Sequence, residues 1–304
     1  MNPKEKVKLL QGLSGLTQSE LARKVGVTFA ALNRWANEKA MPRAEALRKI
    51  DALLLQFGVK ASTTTSILSA KRLAVDAQQK KSGNIIKKIL GRKDLIDELS
   101  LHITYNSNAI EGSTLTKEET REVILDNMAL SRPSLNEQIE AKNHHRAFLY
   151  LLSHLKSGGA ITESFAKNIH KILLSGIRDD AGMYRRHPVR IVGSYVPTAN
   201  YLRVPELVKK LFEKKLGSDR IYSVARFHAD FEKIHPFADG NGRTGRLILI
   251  GMLLKENFAP PVITKKGRGA YYHALQKAQL EENYKFIEEH ITDAVLRGYK
   301  ILHI

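Results

Sequence analysis

From Lys8 to Phe57 apolar residues recur at helical spacing in short bursts, interrupted at Gly15-Leu16-Thr17, Val25-Gly26-Val27 and Met41-Pro42. That pattern predicts several short helices. Beyond residue 94 the three-and-four spacing is sustained through DLIDELSLHITYNSNAIEG, TKEETREVILDNMAL, LNEQIEAKNHHRAFLYLLSHL, TESFAKNIHKILLSGI, VPELVKKLFEKKL, IYSVARFHADFEKIHPF and GRTGRLILIGMLLKEN, each bounded by Ser, Thr, Gly or Pro. One stretch breaks it. In MYRRHPVRIVGSYVPTANYLRVP, residues 183–205, β-branched and aromatic residues flank Gly193-Ser194, which predicts a β-hairpin. Residues 58–66, GVKASTTTS, read as a linker, and residues 71–93, with eight basic side chains and one acidic, as a charge-rich connecting helix. The expected architecture is all-α with one β-hairpin. It divides into a small helical domain over 1–57, a linker and basic connecting helix over 58–93, and a larger helical domain over 94–304.

Composition narrows the chemistry. A chain of 304 residues exceeds one ordinary domain and leaves room for an enzyme core. No run approaches the ~18 uninterrupted apolar residues of a membrane span, and the start MNPKEKVKLLQG lacks the apolar core of a signal peptide. A cytoplasmic protein without a membrane partner is expected. The absence of cysteine removes disulfides, thiolate metal sites and a cysteine nucleophile. A net charge of +18 favours polyanionic partners such as nucleic acid, nucleotides or acidic proteins. The first 60 residues hold eleven Lys and Arg against five Asp and Glu, which makes them about twice as basic per residue as the rest.

Within that basic segment, LTQSELARKVGVTFAALNRWANEKAMPR carries two helix starts. Thr17 with Glu20 makes a capping box, Thr28 caps the next helix, and Gly26 supplies the turn between them. Leu21, Val27, Leu32 and Trp35 are the expected core. The segment resembles the helix-turn-helix of the Xre family of bacterial regulators. That resemblance implies that Thr28, Phe29, Ala30 and Asn33 face base edges, with Arg34, Lys39 and Arg43 nearer phosphates, so DNA is a candidate partner. The alternative is a small helical bundle kept for dimerisation or protein docking.

Residues 235–246 read HPFADGNGRTGR. Pro236 should end one helix and Gly242 should open the next, which puts the Gly-Asn-Gly loop at a helix N-terminus, where unpaired N–H groups and the dipole bind anions. Arg243 and Arg246, three apart on the first turn, reach phosphates beside the loop. Asp239 is a hard oxygen ligand suited to Mg²⁺, and the His235 imidazole is suited to take a proton from an attacking hydroxyl. Phe237 is the expected anchor of the loop. Together these groups point to nucleotidyl or phosphoryl transfer.

The stretch also resembles the Fic-family motif HxFx(D/E)GNGRxxR at each fixed position: His235, Phe237, Asp239, Gly240, Asn241, Gly242, Arg243 and Arg246. The likeness extends over roughly residues 100–295. It implies a helical Fic core that transfers AMP from ATP to a Ser, Thr or Tyr hydroxyl of a protein target or of itself. His235 would be the base and Asp239 the Mg²⁺ ligand, and Gly240, Asn241 and Gly242 the anion hole. Arg243 would meet the β-phosphate and Arg246 the γ-phosphate. The hairpin would be the flap that aligns the target chain, and Tyr271 and Tyr272 fall where the family often lines the adenine pocket.

Residues 107–112, SNAIEG, resemble the family's inhibitory motif (S/T)xxxE(G/N), with Ser107, Glu111 and Gly112 in place. From the residues alone they read as a serine-capped short helix ending at glycine. The resemblance implies that Glu111 pairs with Arg246 and restrains the enzyme from within the same chain; in some family members this glutamate serves removal of AMP. The other readings are a DNA-binding regulator whose Fic core only senses nucleotide, and transfer of UMP or another phosphate-containing group. Self-association is also a candidate property.

Overall fold

The computed structural model describes residues 3–57, 67–191 and 196–303. The chain begins with α1 (Pro3–Ser14), α2 (Gln18–Val25), α3 (Phe29–Ala36) and α4 (Ala44–Gln56). Thr17 and Glu20 form the capping box that starts α2, Gly26 ends it in the left-handed conformation, and the Thr28 hydroxyl accepts the Ala31 N–H at 3.2 Å to start α3. Val7, Leu9, Leu10 and Leu13 of α1 pack with Leu21, Val25, Leu32, Ile50 and Leu54, all buried. Beneath them Lys6 is tied to Asp51 of α4 at 2.7 Å.

Residues 58–66, read as a linker, lie outside the described residues. Next come α5 (Ile67–Ser82) and α6 (Ile85–Leu90), followed by α7 (Lys93–Ile110), α8 (Lys117–Ile124), α9 (Leu135–Lys156), α10 (Glu163–Leu173) and α11 (Val204–Glu213). The chain closes with α12 (Arg220–Ile234), α13 (Asn241–Lys255), α14 (Arg268–Glu281) and α15 (Lys285–Ile301). The basic charge at the start of residues 71–93 is neutralised internally. Lys71 of α5 holds Glu289 at 2.9 Å and Asp293 at 2.8 Å on α15, and Arg72 pairs with Glu288 and Asp219. The same two helices meet α1, where Lys300 reaches the Gly12 carbonyl at 3.4 Å, so the N-terminal helices share one core with α15.

The central element is α13. Leu247, Ile248, Leu249, Ile250, Leu253 and Leu254 are all buried, an apolar surface running round the helix that only a fully enclosed helix can carry. It packs against α7, α9, α10 and α12, which therefore fix where its N-terminus points. A second apolar group, Ala166, Leu211, Phe227, Phe231, Phe237 and Ile248, seals α10, α11 and α12 against the loop that leads into α13.

The expected β-hairpin over 183–205 is not seen: no strand occurs among the described residues, and its tip, Val192 to Tyr195 with Gly193-Ser194, lies outside them. Backbone carbonyls in both arms, of His187, Val189 and Ala199, are taken by side chains. Buried Arg185 donates to the carbonyls of His187, Ala199, Ile234 and His235, which straps both arms to the end of α12. The arms are bridged by the Thr198 hydroxyl donating to the Val189 carbonyl at 2.8 Å, a side-chain contact in place of a backbone pair.

The single tryptophan, Trp35, is buried beside Leu32 and reports on the N-terminal helices. Leu32→Ala is expected to cost ~2–5 kcal/mol through lost apolar contact and a residual cavity, seen as a lower urea midpoint in Trp35 fluorescence.

Candidate active site

His235 closes α12 in the left-handed conformation (φ 52°), which turns the chain sharply into the loop. Its Nδ1 lies 3.1 Å from the Glu232 carbonyl, which only accepts, so Nδ1 carries the proton and the Nε2 lone pair is free. Burial lowers the pKa of this imidazole, with the Glu232 carbonyl pulling the other way, and keeps it neutral and basic near pH 7.

Two brackets hold the loop. Asn241 accepts the Phe237 N–H with its Oδ1 and donates its Nδ2 to the Phe237 carbonyl, both at 2.8 Å. Phe237, fully buried, stacks on His170 with ring centroids 3.8 Å apart. His170 accepts the Gly182 N–H on Nδ1 at 2.8 Å, so its Nε2–H donates to the Asp239 carbonyl at 3.0 Å. Burial drives its pKa down to about 4, which keeps that donor–acceptor arrangement at physiological pH. Gly240 takes φ 72° at the N-cap of α13, and a Cβ there would stand 2.6 Å from Leu174. Only glycine fits both the dihedral and the space.

The first-turn N–H groups of α13 have no partners within the helix and point out of its N-terminus. Above them sits Glu111. A Cβ on Gly242 would come within 2.3 Å of Glu111 Oε1, so the carboxylate lies directly against the backbone of that first turn. Arg246 donates to Glu111 Oε1 at 2.7 Å and, through Nε and NH2, to the hydroxyl and carbonyl of Ser107 at 3.0 Å each. Its burial works against the positive charge, but Glu111 and its other neighbours hold the pKa above the ordinary arginine value. Arg243 is engaged differently, donating to Glu140 of α9 at 2.6 Å with Asp239 3.8 Å away. The Asp239 side chain is exposed, and its Oδ1 accepts the Gly240 N–H at 2.6 Å.

The stretch 107–112 is not a separate serine-capped helix. It is the last turn of α7 with its C-cap: Ser107 is buried in that turn, Glu111 is the cap residue, and Gly112 turns the chain at φ 110°. The hydroxyl expected to cap a helix is instead a ligand of Arg246. Of the tyrosine pair, Tyr271 is fully buried, with its hydroxyl 2.7 Å from His228 Nε2, and Tyr272 is half-buried beneath the Arg268 guanidinium. Tyr271 is part of the core, so it offers no free face to a base.

At the other end of the chain Phe29, Ala30, Arg34, Lys39 and Arg43 are exposed on and after α3. Asn33 is half-buried and accepts from the Asn37 side chain. Leu21, Leu32 and Trp35 are buried and Val27 is partly buried against them.

Four contributors escape a reading of local sequence. Glu140 lies on an ordinary amphipathic helix, Glu232 in a charged stretch, and His170 on an apolar stripe, with no neighbouring motif. Arg185 is foreshadowed only by MYRR. No group of three or more His, Asp or Glu side chains suited to a metal occurs among the described residues.

A histidine with a free nitrogen beside an anion-binding helix N-terminus, two arginines and a covering carboxylate defines a site for an ester or anhydride of phosphate. Residues 160–253 match the Fic/DOC family and residues 8–54 the helix-turn-helix family. The protein adenylyltransferase Fic of Drosophila melanogaster is 30% identical over 218 residues, which are 69% of this chain and 42% of that relative. The chain thus spans less than half the length of the curated relatives it matches. A Fic family protein from Desulfovibrio desulfuricans aligns with a TM-score of 0.66 at 23% identity, over 78% of this chain and 74% of that one. Fic-1 of C. elegans aligns with a TM-score of 0.61 at 22% identity, over 96% and 98%. These structural likenesses show the fold. The chain carries a Fic/DOC-family domain behind a helix-turn-helix domain.

Because Asn241 satisfies both backbone groups of Phe237, Asn241→Ala should leave two buried polar groups unpaired. The expected loss is roughly 1–3 kcal/mol for each group left unpaired, read as a lower melting temperature.

Proposed function

We propose that the chain is a protein adenylyltransferase that moves AMP from ATP to a Ser, Thr or Tyr hydroxyl of a protein target or of itself, and that Glu111 restrains it. One observation carries this reading: the free Nε2 of His235 and the open N-terminus of α13 belong to one rigidly bracketed loop, with Glu111 seated where the nucleotide's phosphates would lie. The curated relatives named protein adenylyltransferase Fic support it.

In this reading the Gly240-Asn241-Gly242 turn holds phosphate oxygens, the Gly240 N–H being given up by Asp239 as that carboxylate turns to the ion, Arg243, fixed by Glu140, steadies the β-phosphate, and Arg246 takes the γ-phosphate once Glu111 has moved. The target hydroxyl oxygen forms a bond to the α-phosphorus, its proton passes to His235 Nε2, and the bond to pyrophosphate breaks with the electron pair leaving on pyrophosphate. Mg²⁺ keeps waters and binds phosphate oxygens, so the exposed Asp239 carboxylate beside the loop would hold the ion. When bound, Mg²⁺ would offset negative charge on the phosphates. Glu111 blocks this arrangement because its carboxylate occupies Arg246 and repels phosphate. The N-terminal domain is proposed to bind DNA through the exposed Phe29, Ala30, Arg34, Lys39 and Arg43, which would bring the modifying domain to targets on the chromosome.

Wild type, Glu111→Gly and His235→Ala should be incubated with Mg²⁺ and ATP labelled at the α- or γ-phosphate, alone and with cell lysate. Protein labelled from the α position only is expected, stronger in Glu111→Gly and reduced ~10²–10⁴-fold in His235→Ala. Label from the γ position would replace the reading with phosphoryl transfer. Binding of ATP without label in any variant would favour another donor or a nucleotide-sensing regulator. Loss of label on chasing with unlabelled ATP in wild type, and not in Glu111→Gly, would add removal of AMP to the same site.

A further inference from the structure

Glu232 lies on α12 one turn before His235 and is only 6% exposed, yet its Oε1 meets no hydrogen-bond partner among the described residues. The NH1 of Arg246 is buried and unpartnered in the same way. The two groups lie over one face of α13 without pairing, since a Cβ on Gly245 would stand 2.3 Å from Glu232 Oε1 and a Cβ on Gly242, three residues earlier, 2.9 Å from Arg246 NH1. A buried guanidinium needs a negative neighbour, and removing its partner leaves an uncompensated charge. Glu111 supplies that neighbour at 2.7 Å in the restrained state. A γ-phosphate would supply it in the loaded state. Between those states Glu232, whose carboxyl lies against α13 at Gly245, is the carboxyl that still acts on Arg246 among the described residues.

We infer that Glu232 is a positioning residue for Arg246: uncharged while Glu111 is in place, it becomes the arginine's counter-ion when Glu111 leaves and then competes with the γ-phosphate. The inference rests on the adenylyl-transfer reading only for the ligand that displaces Glu111. Burial, the first cause, pushes the Glu232 pKa up to about 8; Arg246 lowers it and Glu111 raises it, so removal of Glu111 lets the carboxyl ionise at a lower pH. The other groups around it are Tyr271 from α14, His290 from α15, which faces Tyr271, and His228 and His235 on its own helix. His228 and His290 are driven down to about 3 and about 4, and Tyr271 is raised, so these three stay neutral near pH 8. From α11, Lys214 is directed instead to Asp230, at 3.4 Å.

The test is calorimetric binding of Mg²⁺ with the α,β-methylene analogue of ATP, which cannot release AMP, to the full chain between about pH 6.5 and 9. In Glu111→Gly the affinity should fall relative to Glu111→Gly/Glu232→Gln as pH rises, reaching roughly ten-fold, the weight of one charge-assisted hydrogen bond. Titration of the nucleotide and of His235 is common to both proteins and cancels in the comparison. Parallel pH profiles would overturn the inference. A second measurement counts protons in the same pair of proteins. Near about pH 8, analogue binding to Glu111→Gly should take up more protons than binding to Glu111→Gly/Glu232→Gln, because the arriving phosphate raises the Glu232 pKa again; heats in buffers of different ionisation enthalpy report this. Equal uptake in the two proteins, or less in Glu111→Gly, overturns the role. The predicted slope in a protein that binds the analogue but never labels from α-phosphate ATP would still support the role of Glu232 while overturning adenylyl transfer.

Discussion

The site depends on the need of a buried arginine for negative charge. Arg246 is on the first turns of the most enclosed helix in the fold, where water cannot screen or solvate it. Whatever binds over the N-terminus of α13 must therefore satisfy Arg246 as well as the free backbone amides. Phosphate does both. So does the carboxylate of Glu111, which is why the C-cap of α7 can occupy the place proposed for phosphate. The Ser107 hydroxyl and carbonyl hold the guanidinium from the α7 side, so one helix end supplies both the fixed ligands and the removable one.

The loop between α12 and α13 is held in place for a separate reason. Its backbone is saturated by side chains that are themselves immobilised: Asn241 on both polar groups of Phe237, His170 on the Asp239 carbonyl, and Arg185 on the carbonyls at the end of α12. The left-handed turn at His235 would be a strained position for a free residue. Here it is held by the α12 hydrogen bond from its N–H to the Phe231 carbonyl, 3.0 Å, and by the imidazole contact to Glu232. Orientation of the His235 ring is thus a property of the helix end, set by contacts in which Glu111 takes no part.

The helix-turn-helix unit sits on α15 and α5, and the acids of α15 neutralise the basic side chains that open α5. Charge that looks in the sequence like a polyanion-binding run is partly internal ionic packing. Exposed basic side chains remain on α3 and the turn after it, at Arg34, Lys39 and Arg43, and further along the basic run at Lys81, Lys87, Lys88 and Lys93.

Helix starts, the all-helical character and the dozen residues around His235 were legible in the sequence, because capping, periodicity and the Gly-Asn-Gly turn are local in physics as well as in position. Tertiary structure decided the rest. Ser107 looks like a cap and is instead an arginine ligand, since α7 begins fourteen residues earlier and carries it into the interior. The stretch 183–205 has strand-like residues, yet its described arms are tied by Arg185 to the end of α12 and to each other by a side chain. The side chains of Glu140 and His170 reach Arg243 and Asp239, 103 and 69 positions away, and the Glu232 carboxyl lies against Gly245. The sequence by itself determined which groups could bind phosphate and accept a proton, because those capacities belong to side-chain type and to local turn geometry. Which of them are charged, satisfied or blocked was decided by the packing of α7, α9, α10 and α12 around α13, since burial and counter-charge are set by neighbours that only the fold brings together.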